Sequence, residues 1–230
     1  ICPNTSLMLW ATGGVTYNWQ PSAFINNPNN DTIVVSPMGN ITYTVTVTDQ
    51  FGCSETEQVL VSVFPTQYIN LGANVVIPYG GSVQLSANGN GSFTWEPDTF
   101  LTCSNCATTV ASPYSSTQYF VTLTDANGCQ FYDSVWVFVE GTLYVPNTFT
   151  PNRDSINDFF LAFGTEIKEF EMLIFNRWGE QIFRSDSLQE GWDGMHKGHK
   201  CQIGVYAWRI VYTENSGKEG MLIGHVNLLR

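Results

Sequence analysis

The chain has 230 residues and a formal net charge of -11 at pH 7, with only 13% of its residues charged, about half the usual share. Residues 1–141 hold nine acidic residues and no Lys or Arg. Phosphate backbones need clustered cations, so nucleic acid is excluded as a partner. All nine basic residues lie in 142–230, beside eleven acidic ones, and this break in composition places a boundary near Gly141. No apolar run approaches the ~18 residues of a membrane span, and no signal peptide is visible. A cysteine beside Ile1 already belongs to a domain, so the chain is expected to be part of something longer.

The first two units are copies of one pattern. Tyr43 to Cys53 aligns with Tyr119 to Cys129 at seven of eleven positions, and the same 76-residue shift maps Trp19 onto Trp95, Pro21 onto Pro97 and Val63 onto Val139. A fixed offset of this kind marks tandem modules, here 1–65 and 66–141. Strict alternation from Tyr43 to Thr48 reads as a half-buried strand. Asp49-Gln-Phe-Gly52 and Asp125-Ala-Asn-Gly128 read as turns, in which Gly supplies the positive φ. A Trp on one strand, a late Tyr strand and short, even spacing predict immunoglobulin-like sandwiches.

Six cysteines without a second Cys-x-x-Cys or a His pair point to disulfides and an oxidising compartment. Cys2–Cys53 would close a loop within the first unit, worth roughly 4 kcal/mol on the entropy model. Pro78 stands at the position equivalent to Cys2, so Cys129 is expected to be a buried free thiol. Cys103–Cys106 is expected as a local bridge. His196, His199 and Cys201 have the spacing of metal ligands, but Gly and Lys surround them and a solvated loop is the reading.

Residues 142–230 do not repeat the pattern. Strands are predicted over Phe170–Asn176, Gln181–Ser185, Val205–Thr213 and Met221–Leu229. Turns are predicted at Arg177-Trp-Gly-Glu180, Glu190-Gly-Trp-Asp-Gly194 and Asn215-Ser-Gly217. The fold class is therefore all-β, with three consecutive antiparallel β-sandwich domains of immunoglobulin-like character: 1–65, 66–141 and 142–230.

The order of motifs in this third unit carries a resemblance. Pro146-Asn-Thr-Phe-Thr-Pro-Asn152 with Ile156-Asn-Asp158 comes first, then Phe170 to Phe183 around Asn176-Arg-Trp-Gly-Glu180, then Gly191-Trp-Asp-Gly194, Gly204-Val-Tyr-Ala-Trp-Arg-Ile210 and a closing Gly224 to Arg230. Residues 144–230 thus resemble the gliding-motility-associated C-terminal domain, the type B sorting domain of the Bacteroidetes type IX secretion system. The preceding units resemble the PKD or immunoglobulin-like modules found before it in large surface adhesins. The resemblance implies a cell-surface protein whose last domain directs export through the type IX machinery and attaches to an outer-membrane partner of the PorP/SprF type. The family's first motif is commonly PNGDGxND; here Arg153 and Ser155 stand in place of both glycines. Asp154, Asn157 and Asp158 are oxygen donors at a spacing that suits calcium, and the alternative is a turn held by Asx hydrogen bonds.

For partner recognition the residues singled out are Trp178 and Trp192, since Trp anchors interfaces, against packing beside a turn. With them goes the terminal strand through Gly224, Val226, Leu228, Leu229 and Arg230, since such a strand can add to another protein's sheet edge. Asp-Ser and Asp-Thr pairs followed by an apolar residue match the O-glycosylation pattern of Bacteroidetes at Thr32, Ser134, Ser155 and Ser187. No nucleophile, zinc or phosphate-loop motif occurs, so the protein is expected to be no enzyme. Trp19 and Trp95 recur at one site and read as core; the alternative is a carbohydrate- or surface-binding module using exposed Trp and Tyr.

Overall fold

The computed structural model describes all residues from 1 to 230, and it contains strands and turns with no helix. The first sandwich comprises β1 (Leu7–Trp10), β2 (Thr16–Gln20), β3 (Thr32–Val35), β4 (Ile41–Thr48) and β5 (Ser54–Val61). β1 pairs with β3, opposite the sheet β2-β4-β5. The second comprises β6 (Val75–Ile77), β7 (Val83–Ser86), β8 (Ser92–Glu96), β9 (Thr108–Ala111), β10 (Thr117–Thr124) and β11 (Gln130–Val139). β7 pairs with β9, opposite β6-β11-β10-β8, in which β6 runs parallel to β11.

The shared sequence pattern produces the same contacts in both. Trp19 and Trp95 are buried between the sheets. Their indole N–H groups donate to Asn30 O at 3.0 Å and to Cys106 O at 2.8 Å, positions 76 residues apart. A buried indole N–H without an acceptor would cost about 1–3 kcal/mol, so the loop carbonyl is part of the core design. Tyr43 and Tyr119 likewise donate to Ala23 O and Thr99 O. In each β-hairpin turn one Asp side-chain oxygen, of Asp49 or Asp125, accepts two backbone N–H groups. Gly52 and Gly128 take the left-handed φ of +86° and +80° that closes the turn.

The cysteines pair differently from the expectation. Cys2 is bonded to Cys129, not to Cys53, and Cys53 is an exposed free thiol. Cys129 is buried as expected but is not free. The turn that carries Cys129 abuts the lower end of the first sandwich, so the bond joins neighbouring sandwiches head to tail. Cys103 and Cys106 are bonded within their loop, which holds the Cys106 carbonyl against Trp95.

The third sandwich comprises β12 (Thr142–Tyr144), β13 (Thr148–Phe149), β14 (Phe163–Thr165), β15 (Ile167–Phe175), β16 (Gln181–Ser185), β17 (Met195–His196), β18 (His199–Lys200), β19 (Gly204–Glu214) and β20 (Glu219–Leu228). Its main sheet has the order β13-β20-β19-β15-β16. Phe149, Phe160, Trp192, Met172, Ile174, Ile210, Val226 and Leu228 fill the core beneath it. Its contact with the second sandwich is polar. The Ser116 N–H donates to Glu166 Oε2 at 3.1 Å, the Gly141 N–H donates to Glu214 Oε2 at 3.1 Å, and Lys218 lies 3.7 Å from Glu140.

Two expectations follow. Peptide mapping without reduction should recover a Cys2–Cys129 cross-link with Cys53 alkylated, and the Cys129→Ser variant should broaden the distance distribution between the first two sandwiches in X-ray scattering. At the second junction, burial pushes the Glu166 carboxyl up, but hydrogen bonds from Ser116 and Asn215 outweigh it and leave the pKa below its ordinary 4.5. The contribution of this contact is therefore complete above pH 4.5 and is lost as pH falls through the lower folded value. Thermal unfolding across that range should show a smaller acid loss for Glu166→Gln than for the parent chain.

Candidate functional site

The main sheet of the third sandwich has one face packed on the core and one face open. Along β19, Tyr206, Trp208 and Ile210 point inward, while Val205, Ala207, Arg209 and Val211 point outward, as period-2 geometry requires. Along β20, Leu222, Val226 and Leu228 point inward, and Met221, Ile223 and His225 outward. The register sets Arg209 between Leu173 and Ile223, and Val211 between Glu171 and Met221. Met221 and Ile223 are 60% and 69% exposed, and Val205 is 57% exposed. Glu171 ties the cations of this face, lying 3.2 Å from Arg184 and 3.9 Å from Arg209.

The edge beside this face is also open. β13 pairs with β20 only at Asn227 and Leu228, so Glu219 to Val226 present unpaired backbone groups on that side. An unpaired strand edge with apolar neighbours is a template for another strand. At the far end of the sheet Trp178 stands on the tip of the β15–β16 hairpin, 79% exposed, with the Arg177 guanidinium 5.3 Å over its ring. Asn176 Oδ1 accepts the Trp178 and Glu180 N–H groups and fixes that tip. Beneath it lies a cleft of about 330 Å³ with Arg177, His196, His199, Cys201 and Val205 in its walls. Glu180 is held below the ordinary carboxylate range by the Lys197 ammonium and Asn176. Burial pushes the Cys201 thiol up, so it stays protonated.

The residues singled out for recognition therefore separate. Trp178 is free to meet a partner. Trp192 is not: it is fully buried, donates its indole N–H to Met195 O at 2.8 Å, and packs on Phe149 and Tyr206. Its turn folds back because Phe160 and Trp192 exchange backbone hydrogen bonds of 2.9 and 3.1 Å. Val226 and Leu228 are likewise fully buried. Gly224 faces the Trp208 ring, which a Cβ there would strike. Arg230 donates to Cys201 O at 2.9 Å and to Gly194 O at 3.3 Å, so its guanidinium clamps the chain end to a loop. Of the terminal set only Leu229 is exposed and apolar. The terminal strand serves the core through these residues and leaves its other face and edge open. Met221, Ile223 and Val205 were not expected. Their signal was available: β19 carries apolar residues at both parities, which marks a strand with two apolar faces.

The loop before β14 resolves into a turn. Asp158 accepts the Arg153 and Ser155 N–H groups at 2.6 and 2.8 Å, and Asp154 accepts the Ile156 N–H at 2.8 Å and the Asn152 amide at 2.9 Å. The Asn152 side chain and the Ile156 N–H hold the Asp154 carboxyl below its ordinary value. Each carboxylate oxygen thus has a donor, and Asn157 gives its backbone carbonyl to Thr150 N. Arg153 and Ser155 both sit at φ +71°, the left-handed region that favours glycine. Of the four hydroxyls in the glycosylation pattern, Thr32, Ser155 and Ser187 are exposed. Ser134 is half-buried and accepts from Gln118.

Residues 143–227 match the CHU_C type IX secretion signal domain. The match covers the third sandwich from β12 to the inward end of β20, and it marks the chain for type IX secretion to the cell surface or beyond. No curated protein matches the chain. Among solved structures it is similar to the Bacteroides ovatus mixed-linkage glucan utilization locus protein SGBP-B, with 16% identity, 99% of this chain and 65% of that chain covered and a TM-score of 0.24. The chain thus spans less than two thirds of that protein's length. It is also similar to Dpr2 Ig1-Ig2 in complex with DIP-Theta Ig1-Ig3 (10% identity, 99% and 95% covered, TM-score 0.38) and to the Clostridium thermocellum CbhA fibronectin(III)-like modules (12%, 70% and 92%, 0.26). At scores this low the likenesses carry no argument about what the chain binds; the sandwiches themselves establish the all-β, immunoglobulin-like class.

Two substitutions test the sorting-domain geometry. Arg153→Gly with Ser155→Gly should stabilise the domain, because an L residue in the left-handed region costs about 1–2 kcal/mol and the greater freedom of unfolded glycine offsets about half of that. A higher Tm by calorimetry is the expected result. Gly224→Val should lower stability by about 1–3 kcal/mol through its clash with Trp208, read by denaturant unfolding.

Proposed function

We propose that the third domain exports the protein through the type IX machinery and then holds it at the outer membrane by docking onto a partner of the PorP/SprF type. The single observation that carries this reading is the family match over 143–227. The exposed apolar face of β19 and β20, the open edge of β20 and the Trp178 tip support a docking role, since exposed apolar patches and unpaired strand edges are surfaces that partner proteins use. The first two sandwiches form the stalk of a large adhesin. The head-to-tail Cys2–Cys129 bond and the polar junction around Glu166 and Glu214 support that role by restraining the units in line. No helix is long and apolar enough to cross a membrane.

On this reading the role of the chain is structural rather than catalytic. The exposed hydroxyls of Thr32, Ser155 and Ser187 are the glycan acceptors, with Ser134 requiring local opening. Calcium at Asp154, Asn157 and Asp158 is not part of the reading, because the turn already satisfies both carboxylates.

Deletion of 142–230 should trap the protein inside the outer membrane, measured by surface proteolysis and fractionation; normal display would refute the export role. The substitutions Ile223→Asp and Trp178→Ala should each leave the unfolding free energy within about 1 kcal/mol of wild type, as exposed substitutions do. Each should reduce recovery of the outer-membrane partner when the tagged chain is purified from cell envelopes.

A further inference from the structure

The first two sandwiches are built alike, yet their cores differ in size. Leu9, Ala11, Tyr17, Val47 and Val59 are half-buried, whereas the residues 76 positions on, Leu85, Ala87, Phe93, Leu123 and Val135, are buried. The side chains are of the same kind, so the difference lies in what covers them. In the second sandwich the cover is the segment Gln67–Ile77. Ile69 is buried in the core, and Leu71 and Val75 pack on it. The Gln67 side chain makes two hydrogen bonds to the Asn90 backbone, of 2.9 and 2.8 Å, and the Leu71 N–H donates to Asp133 Oδ2 at 2.8 Å. β6 then completes the sheet as a parallel partner of β11.

In the first sandwich the same space is an open groove of about 960 Å³ between the sheets, with Leu9, Trp10, Val47, Cys53 and Val59 in its walls. Glu57 stands where Asp133 stands, offering a carboxylate at the position that accepts the Leu71 N–H. The entrance register is already set. Ile1 O accepts the Phe64 N–H at 2.9 Å, just as Ile77 O accepts the Glu140 N–H at 2.8 Å. Ile1 therefore occupies the last position of a strand parallel to β5, equivalent to the end of β6.

The cysteines repeat the same relation. Cys129 and Cys53 lie at equivalent places in equivalent Asp-capped turns. Cys129 is buried and bonded to Cys2 of the sandwich before it, whereas Cys53 is exposed and free.

We propose that the groove of the first sandwich takes a strand leading from a further sandwich of the same kind on its amino-terminal side, in the same polypeptide, and that Cys53 bonds to a cysteine of that sandwich placed as Cys2 is. The strand has the chemistry of Gln67–Ile77: two apolar side chains two residues apart to enter the groove, then a short β-branched run parallel to β5. Forming the bond removes two protons and two electrons from two thiols. A disulfide compound takes them up and is released as two thiols, as for Cys2–Cys129.

The test joins a second copy of residues 1–76 to the amino end of the full chain, which preserves the 76-residue register, and oxidises it with glutathione disulfide. The expected result is that the inner Cys53 resists alkylation and is recovered bonded to the outer Cys2, while the outer Cys53 stays alkylated. Amide exchange in inner residues 7–10 and 54–61 should slow at least tenfold relative to the unextended chain. Ile69→Asp with Leu71→Asp in the added segment alone should abolish both effects. Equal alkylation of the two Cys53 residues with unchanged exchange would overturn the proposal. So would Cys53-linked dimers of the unextended chain showing the same slowed exchange, since the occupant would then be a second copy.

Discussion

A β-sandwich buries its inner faces fully only where the gap between its sheets is filled, and in the second sandwich the segment arriving from the first fills it. Gln67–Ile77 is at once a connection and a core element: Ile69, Leu71 and Val75 are packed under the sheets, Gln67 is hydrogen-bonded to the Asn90 backbone in the β7–β8 loop, and Asn74 accepts the Trp136 N–H of β11. A connection whose apolar side chains are buried cannot swing as a free linker does. The Cys2–Cys129 bond crosses the same junction, so backbone, side chains and a covalent bond all restrain it. The second junction is restrained by other means, backbone N–H groups of one sandwich donating to Glu166 and Glu214 of the next.

In the third domain one strand serves two faces. Alternate residues of β20 are spent differently: Val226 and Leu228 complete the core, while Met221 and Ile223 remain outside. Arg230 clamps the chain end by two backbone carbonyls. On the proposed docking role, a partner meets an outer face and an edge already built into a sheet rather than a loose peptide. Trp178 lies at the other end of the same sheet, on a hairpin tip held by hydrogen bonds to Asn176.

The strands and turns were legible because their signals are local. Period-2 alternation at Tyr43–Thr48, the Asp-x-x-Gly turns and the hairpin at Asn176–Glu180 each depend on residues within reach of one another in the chain. The partners of Cys2 and Cys129 were not legible, because they lie on different sandwiches and only packing brings them together. Trp178 and Trp192 looked alike for a related reason. Both sit in glycine-bearing turns, and what separates them is that Phe160, over thirty residues away in sequence, pulls Trp192 under the sheet. The two glycines missing from Arg153 and Ser155 were visible as a departure, and the structure gives its meaning: the backbone there is left-handed in any case, with the carboxylates of Asp154 and Asp158 holding it.

Residue order alone was sufficient for the all-β class, the 76-residue duplication, the buried tryptophans of the two copies and the likeness of the last unit to a type IX sorting domain. Each of these follows from short-range pattern or from ordered motifs, which survive without knowledge of distance. Tertiary structure decided which cysteines bond, which face of the terminal strand is buried, and which apolar side chains stay exposed. Those depend on which surfaces meet, and surfaces meet through contacts between residues far apart in the chain.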